Sequence, residues 1–131
     1  MEEIVELGEL LKGLSPRLLE PEFAFCSVRG DLGDYLGLNP VATFAEAEGL
    51  SLVVEKARAE EAGLAFKGTF RQITLEVRSS LEAVGLTAAV SARLASAGIS
   101  ANVVAAFHHD HVFVQSGKAE AALAALRELG R

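Results

Sequence analysis

The chain has 131 residues, half of them hydrophobic, and a formal net charge of −6 at pH 7. This length suits one domain or two very small ones, and the apolar content supports a buried core, which excludes a globally disordered chain. The acidic balance argues against a nucleic-acid or anionic-membrane partner. No apolar run is long enough to span a membrane, and the acidic start of the chain is unlike a signal peptide, so we expect a soluble, cytoplasmic protein.

The first half of the chain predicts a mixture of helices and strands. Leucines at helical spacing predict a short amphipathic helix over residues 6–13, and an apolar run over 22–28 predicts a strand. Turn-forming residues over 30–40 predict a long loop. The remaining predicted elements are a short helix over 41–48, a strand over 50–55, a short helix over 57–62 and a short strand over 64–66.

The second half predicts the order strand, helix, strand, strand, helix. Residues 70–78 alternate apolar and polar side chains, as in a half-buried strand. Ser79 and Glu82 have the spacing of a capping box, which predicts a helix from there to about Ala97. Strands are predicted over 101–107 and 111–114, and a final helix over 118–129. The last strand of a βαββαβ unit must therefore come from the first half, come from another subunit, or be absent.

Three segments carry a family resemblance. These are Ser-Ser-Leu-Glu-Ala-Val-Gly-Leu-Thr-Ala over 79–88, the His-Asp-His of 109–111, and Glu-Ala-Glu-Gly-Leu-Ser-Leu-Val over 46–53. Together they resemble small bacterial proteins built from tandem ACT domains, with a loop most similar to that of aspartate-kinase-type ACT domains. The resemblance implies an α+β fold of two ferredoxin-like units, over 1–67 and 68–131, with paired or shared antiparallel sheets.

The resemblance also implies a function. ACT domains generally bind a small effector, usually an amino acid, and regulate enzymes, so we expect a binding module without catalytic activity or cofactor. A homo-oligomer and a regulated protein partner are expected as well. Many ACT domains begin this loop with Asp-Arg-Pro-Gly, which is absent here, so the identity of the ligand does not follow.

The segment 77–87 is the candidate ligand site. A helix N-terminus offers unpaired backbone N–H groups to a carboxylate, Gly85 lets a ligand approach the backbone, and Glu82 suits an ammonium group. The resemblance adds the start of the adjacent strand, at Asn102 and Val103. The candidate residues are Ser79, Ser80, Leu81, Glu82, Val84, Gly85, Leu86, Thr87, Asn102 and Val103. In the alternative interpretation, Ser79 and Glu82 only cap a helix and Gly85 only allows close packing.

The histidines at 108, 109 and 111 form a second cluster, with Asp110 between them. Imidazole and carboxylate groups are zinc ligands, but alternation along a strand would let only His109 and His111 converge, which is too few for a closed site. A polar hairpin turn is the favoured interpretation, and a dimer interface is a third. No metal site is therefore assigned. A structural or protein-interaction module without a ligand, and a weak metal-binding protein or small hydrolase using this cluster, stay open as alternatives.

Two other features are interpreted as structural. Cys26 lies in an apolar strand, where a buried and unreactive thiol is the common case, and a single cysteine excludes an intrachain disulfide. The acidic residues of the first half are interpreted as a solvated face. They are Glu46, Glu48, Glu55, Glu60 and Glu61.

Overall fold

The structure is a computed structural model that describes residues 7–77 and 85–130. Its helices are α1 (Leu7–Lys12), α2 (Lys56–Glu61), α3 (Leu86–Ser96) and α4 (Ala119–Arg127). Its strands are β1 (Ser15–Val28), β2 (Ala42–Glu46), β3 (Gly49–Glu55), β4 (Phe70–Glu76), β5 (Asn102–Ala105) and β6 (Asp110–Gln115). Short 3₁₀ helices cover Leu32–Leu38, Ser116–Lys118 and Glu128–Gly130. None of the described helices is long and apolar enough to cross a membrane.

The chain divides into two compact units. Unit 1 comprises the described residues up to Glu20 together with those from Arg71 onward, and unit 2 comprises Pro21–Phe70. Strand β1 therefore belongs to unit 1 in its first part and to unit 2 in its second part. A segment of the first half thus supplies the strand that the second half lacks. The predicted boundary between residues 67 and 68 stays a prediction.

Unit 1 is an antiparallel α+β layer structure. Its strand order is β1–β4–β6–β5, and the hairpin of β5 and β6 pairs Asn102 with Phe113 and Ala105 with Asp110. Alternation along β4 sends Ile73 and Leu75 into the core. The helical stripe of α3 buries Leu86, Val90 and Leu94 in the same core, which α4 completes. Burial of each such leucine favours folding by about 1.5–3 kcal/mol.

Unit 2 repeats the order strand, helix, strand, strand, helix, but its helices are shorter. Its strands lie in the order β1–β3–β2, with β1 and β3 antiparallel and Val28 paired with Leu50. Its core combines alternate residues of the second part of β1 and of β3 with one residue of α2: Ala24, Cys26, Val28, Leu52, Val54 and Ala59. A seven-residue 3₁₀ helix, Leu32–Leu38, occupies the position that the eleven-residue α3 has in unit 1.

Several predicted elements differ from the structure. The helix predicted over 41–48 is wrong, because β2 pairs there with β3 as a hairpin. The strand predicted over 64–66 is also wrong, since those residues form no strand. Helix α3 begins at Leu86 with Gly85 as its N-cap residue, whereas the predicted capping box of Ser79 and Glu82 lies outside the described residues.

Candidate ligand-binding site

A cavity of about 650 Å³ lies in unit 2 at the end of β1. Its volume is within the range of small-molecule sites. One wall is the loop that connects β1 to the 3₁₀ helix, and the other is the hairpin of β2 and β3. The lining residues are Val28, Arg29, Gly30, Asp31, Leu32, Thr43, Ala45, Glu46, Ala47, Glu48, Gly49 and Leu50.

Two glycines give the cavity its backbone shape. Gly49 has φ +153°, and a Cβ there would lie 3.0 Å from the carbonyl oxygen of Val28. Gly30 has φ +106°, and a Cβ there would lie 3.0 Å from Oδ2 of Asp34. Both positions therefore favour glycine, because L side chains rarely adopt this backbone conformation and the space is already occupied.

The loop wall is held by hydrogen bonds at both of its ends. The hydroxyl of Tyr35 donates to the carbonyl of Arg29, and the backbone N–H of Asp31 donates to Oδ2 of Asp34 at 3.2 Å. The second contact is half of a capping box at the start of the 3₁₀ helix. These bonds hold the backbone of the loop that forms one wall of the cavity.

The cavity wall carries charges of both signs. Arg29 supplies a guanidinium, while Asp31, Glu46 and Glu48 supply carboxylates. Glu46 accepts a hydrogen bond from the hydroxyl of Ser51. Within the described residues, Arg29 and Glu48 use their charged groups in no hydrogen bond or ion pair. A guanidinium binds a carboxylate well, and a carboxylate accepts hydrogen bonds from an ammonium group, so this wall suits a zwitterion.

Sequence reasoning missed this cavity. It assigned Glu46 and Glu48 to a solvated face and 41–48 to a helix, which hides the hairpin that forms one wall. A signal was nevertheless present, because both units repeat the order strand, helix, strand, strand, helix. Residues 29–31 follow the first strand of unit 2, as the candidate site predicted over 77–87 follows the strand predicted over 70–78.

The described residues of the predicted site in unit 1 have clear positions. Gly85 has φ +103° and precedes α3, and a Cβ there would lie 3.1 Å from a methyl carbon of Leu7. Leu86 is buried in the unit 1 core and Val103 packs against that core, so both side chains serve packing. Thr87 is exposed.

Asn102 lies at the start of β5, where its Nδ2 donates to the carbonyl of Phe113 at 3.1 Å. One of its amide hydrogens is therefore used between the two strands. The other predicted site residues lie outside the described residues; they are Ser79, Ser80, Leu81, Glu82 and Val84. The structure thus leaves the ligand role of this set as a prediction.

The histidine cluster forms a tight hairpin. The N–H of Ala106 donates to the carbonyl of His109 at 3.1 Å, which leaves Phe107 and His108 at the turn. Their rings contact edge to face at 5.0 Å. In the part of the chain that is described, no group of three or more His, Cys, Asp and Glu side chains is placed to hold a metal ion.

Burial shifts two titrations in this hairpin. Desolvation, followed by the charge of His109, lowers the pKa of His111, although Asp110 acts in the opposite direction. Desolvation raises the pKa of Asp110, against the attraction of His111 and His109. Desolvation also raises the pKa of the buried Cys26 in unit 2, which keeps it a thiol rather than a nucleophilic thiolate.

Family models match both halves of the chain. One ACT domain model matches residues 3–71, and a second matches residues 68–128. The chain belongs to the ACT domain family. The ferredoxin-like fold and the tandem arrangement expected from the resemblance are confirmed.

Solved structures extend this ACT domain relationship. A Vibrio cholerae protein of unknown function, described as a possible transport protein, is 53% identical, with a TM-score of 0.89 over 95% of this chain and 96% of that one. An Agrobacterium tumefaciens protein is 18% identical, with a TM-score of 0.70 over 89% of each chain. The ligand-free regulatory subunit of aspartate kinase from Thermus thermophilus is 13% identical, with a TM-score of 0.63 over 90% and 99%. The last two likenesses concern the fold alone. No curated protein matches the chain.

Proposed function

We propose that this ACT domain protein is a regulatory module that binds an amino acid or a similar small zwitterion and catalyses no reaction. ACT domains typically bind small molecules and regulate, and both halves of the chain match the family. The observation that carries the proposal is the cavity of unit 2, which combines a ligand-sized volume with a guanidinium and carboxylates. The cytoplasmic location of the protein stays a prediction.

In the proposed complex, Arg29 binds the ligand's carboxylate. Glu48, whose carboxylate is free of other partners within the described residues, accepts hydrogen bonds from the ammonium group, and Asp31 adds negative charge. Gly30 and Gly49 provide the backbone conformation that brings the loop and the hairpin together around the ligand. Occupancy would hold the loop and the hairpin together and so change the surface offered to a regulated protein.

The predicted site of unit 1 is a second place for such a ligand. There the backbone N–H groups of 84–87 would meet the carboxylate, since a helix N-terminus favours negative charge. Asn102 and nearby hydroxyls would contribute polar contacts. The proposal retains the whole predicted set, namely Ser79, Ser80, Leu81, Glu82, Val84, Gly85, Leu86, Thr87, Asn102 and Val103.

A melting-temperature survey against the twenty amino acids, with zinc and a chelator as controls, tests the function. A ligand at 100 times its Kd stabilises the folded state by about 2.7 kcal/mol, a shift of several degrees for a chain of this size. We expect one or a few amino acids to raise the Tm. If none does at millimolar concentration, the binding function is wrong, and a shift with zinc alone would favour the histidine cluster instead.

Variants then locate the ligand. Arg29→Gln should remove the shift, while Lys67→Gln, which changes an exposed cation outside the cavity lining, should retain it. Loss of the shift in Asn102→Ala or Gly85→Leu, with Arg29→Gln unaffected, would place the ligand in unit 1. Because Gly85→Leu also strains the backbone, Thr87→Val at an exposed position provides a second variant there.

Exposed aromatic side chains favour a second candidate function, protein interaction without a small ligand. Phe107 is 75% exposed and Phe44 is 72% exposed. We propose that such surfaces support a homo-oligomer or bind a regulated partner. Sedimentation equilibrium of the wild type, Phe44→Ser and Phe107→Ser tests self-association. A wild type that stays monomeric at high micromolar concentration would contradict the homo-oligomer.

A further inference from the structure

Three polar side chains of unit 1 form a closed triangle between two neighbouring strands. Nε2 of Gln72 lies 3.0 Å from Oγ1 of Thr74 and 3.1 Å from Nδ1 of His111. The third side, from Oγ1 of Thr74 to Nδ1 of His111, is also 3.1 Å. Gln72 and Thr74 are on β4 and His111 is on β6, so the triangle links the strands beside their backbone pairing.

The triangle favours one protonation pattern for the neutral ring of His111. An amide nitrogen only donates, so Nδ1 accepts where it bonds to Nε2 of Gln72, and the ring proton then lies on Nε2. Thr74 is 4% exposed, which leaves little room for water to replace a lost partner. If Nδ1 gained a proton, it would face the N–H of Gln72, and Oγ1 of Thr74 would be its acceptor unless the Gln72 amide turned to present its oxygen.

Titratable groups around the ring come from three elements. On the ring's own strand and hairpin, Asp110 favours the protonated ring and His109 disfavours it. On β4, Glu76 lies two residues beyond Thr74, and its Oε1 is held 2.8 Å from Nε of Arg17 on β1. On β5, the residue paired with His111 is the uncharged Val104.

We propose that Gln72, Thr74 and His111 form a proton-sensitive latch whose Gln72–His111 hydrogen bond joins β4 to β6 only while Nδ1 of His111 is unprotonated. Protonation removes this bond and forces the Gln72 amide to turn or to lose its partner, so unit 1 becomes less stable under mildly acidic conditions. All three histidines of the chain lie in unit 1, and unit 2 contains none. The latch therefore gives one of the two ACT units a response to pH that the other lacks.

Proton NMR titration of the imidazole rings tests the latch directly. We expect a His111 pKa below its ordinary value of about 6.5 and Nε2 protonation in the neutral ring. Because the folded-state pKa is lowered, Tm should be highest above about pH 6.5 and fall as the pH decreases. Relative to the wild type, His111→Gln should weaken that fall. His108→Gln, at the exposed turn, should leave it unchanged.

A sharper test reverses the chemistry at nearly constant shape. Gln72→Glu replaces the donor with a carboxylate, which accepts from a protonated ring, so the His111 pKa should rise above about 6.5 and the acid-induced loss of Tm should shrink. The latch is refuted if wild-type His111 titrates at or above its ordinary value. It is refuted equally if Gln72→Glu leaves the pKa of His111 unchanged, or if His111→Gln and His108→Gln change the pH dependence alike.

Discussion

Units 1 and 2 share an order of elements but differ in what covers their strands. In unit 1, the Ala-rich α3 and α4 close a continuous core. In unit 2, the equivalent of α3 is a 3₁₀ helix with two glycines, and α2 has only six residues. Glycine is a poor helix former and alanine a good one, so the local sequences explain the difference. Unit 2, which has the shorter helices, contains the cavity, while unit 1 contains the histidine latch.

Removing a core leucine of unit 1 should have the largest effect on stability. Leu94 is fully buried, so Leu94→Ala should lower the free energy of unfolding by about 2–5 kcal/mol, through lost burial and the void left behind. Chemical denaturation measures this. Leu36→Ala in the 3₁₀ helix of unit 2, where the side chain is 63% exposed, should cost far less. Equal losses would show that the packing contrast between the units has no energetic meaning.

The next largest loss of stability is expected from a substitution at a glycine of the cavity wall. Gly49→Ala forces a side chain into a strained φ and against the carbonyl of Val28, so a loss of about 1–3 kcal/mol is expected. The matched control is Gly33→Ala, where an added Cβ meets no atom within 4 Å. Thermal and urea unfolding of both variants would check the difference. A neutral Gly49→Ala would mean that the hairpin can move away from β1 without cost.

Removing the buried hydroxyl of Thr74 should lower the free energy of unfolding by less than the changes at Leu94 and Gly49. Thr74→Val keeps the side-chain shape but removes both hydrogen bonds of the hydroxyl, which predicts a loss of about 1–2 kcal/mol at neutral pH. Thr43→Val, at an exposed position in unit 2, serves as the control in the same denaturation experiment. If the two variants lose the same stability, the triangle contributes nothing beyond backbone pairing.

The exposed ion pair of Arg17 and Glu76 should make the smallest contribution to stability. Both side chains are substantially solvated, at 60% and 41%, and such pairs contribute about 0–1 kcal/mol. Glu76→Gln should therefore reduce stability slightly at low salt and not at 1 M salt, because salt screens exposed charges. Glu60→Gln gives the baseline for an exposed carboxylate. A large, salt-independent loss at Glu76 would contradict a surface role.

The periodic spacing of apolar residues in the sequence predicted most of the strands and helices of unit 1. Alternation along β4 and the stripe of Leu86, Val90 and Leu94 indicate buried faces directly, because strand and helix periods are local properties of the chain. The family motif likewise indicated two ACT units. Where patterns were short, over 41–48 and 64–66, sequence reasoning failed, since pairing with β3 rather than local preference determines β2.

By itself, the sequence determined the class of the fold, its family and the apolar faces of the long elements, since these depend on residue order within a few turns. Only the tertiary structure decided that β1 contributes to both units, that Arg29 and Glu48 line one cavity, and that Gln72 and Thr74 meet His111. The residues brought together lie 19 to 39 positions apart in the chain, and β1 has one part in each unit. Such proximity arises from strand pairing across the chain, which no local pattern specifies.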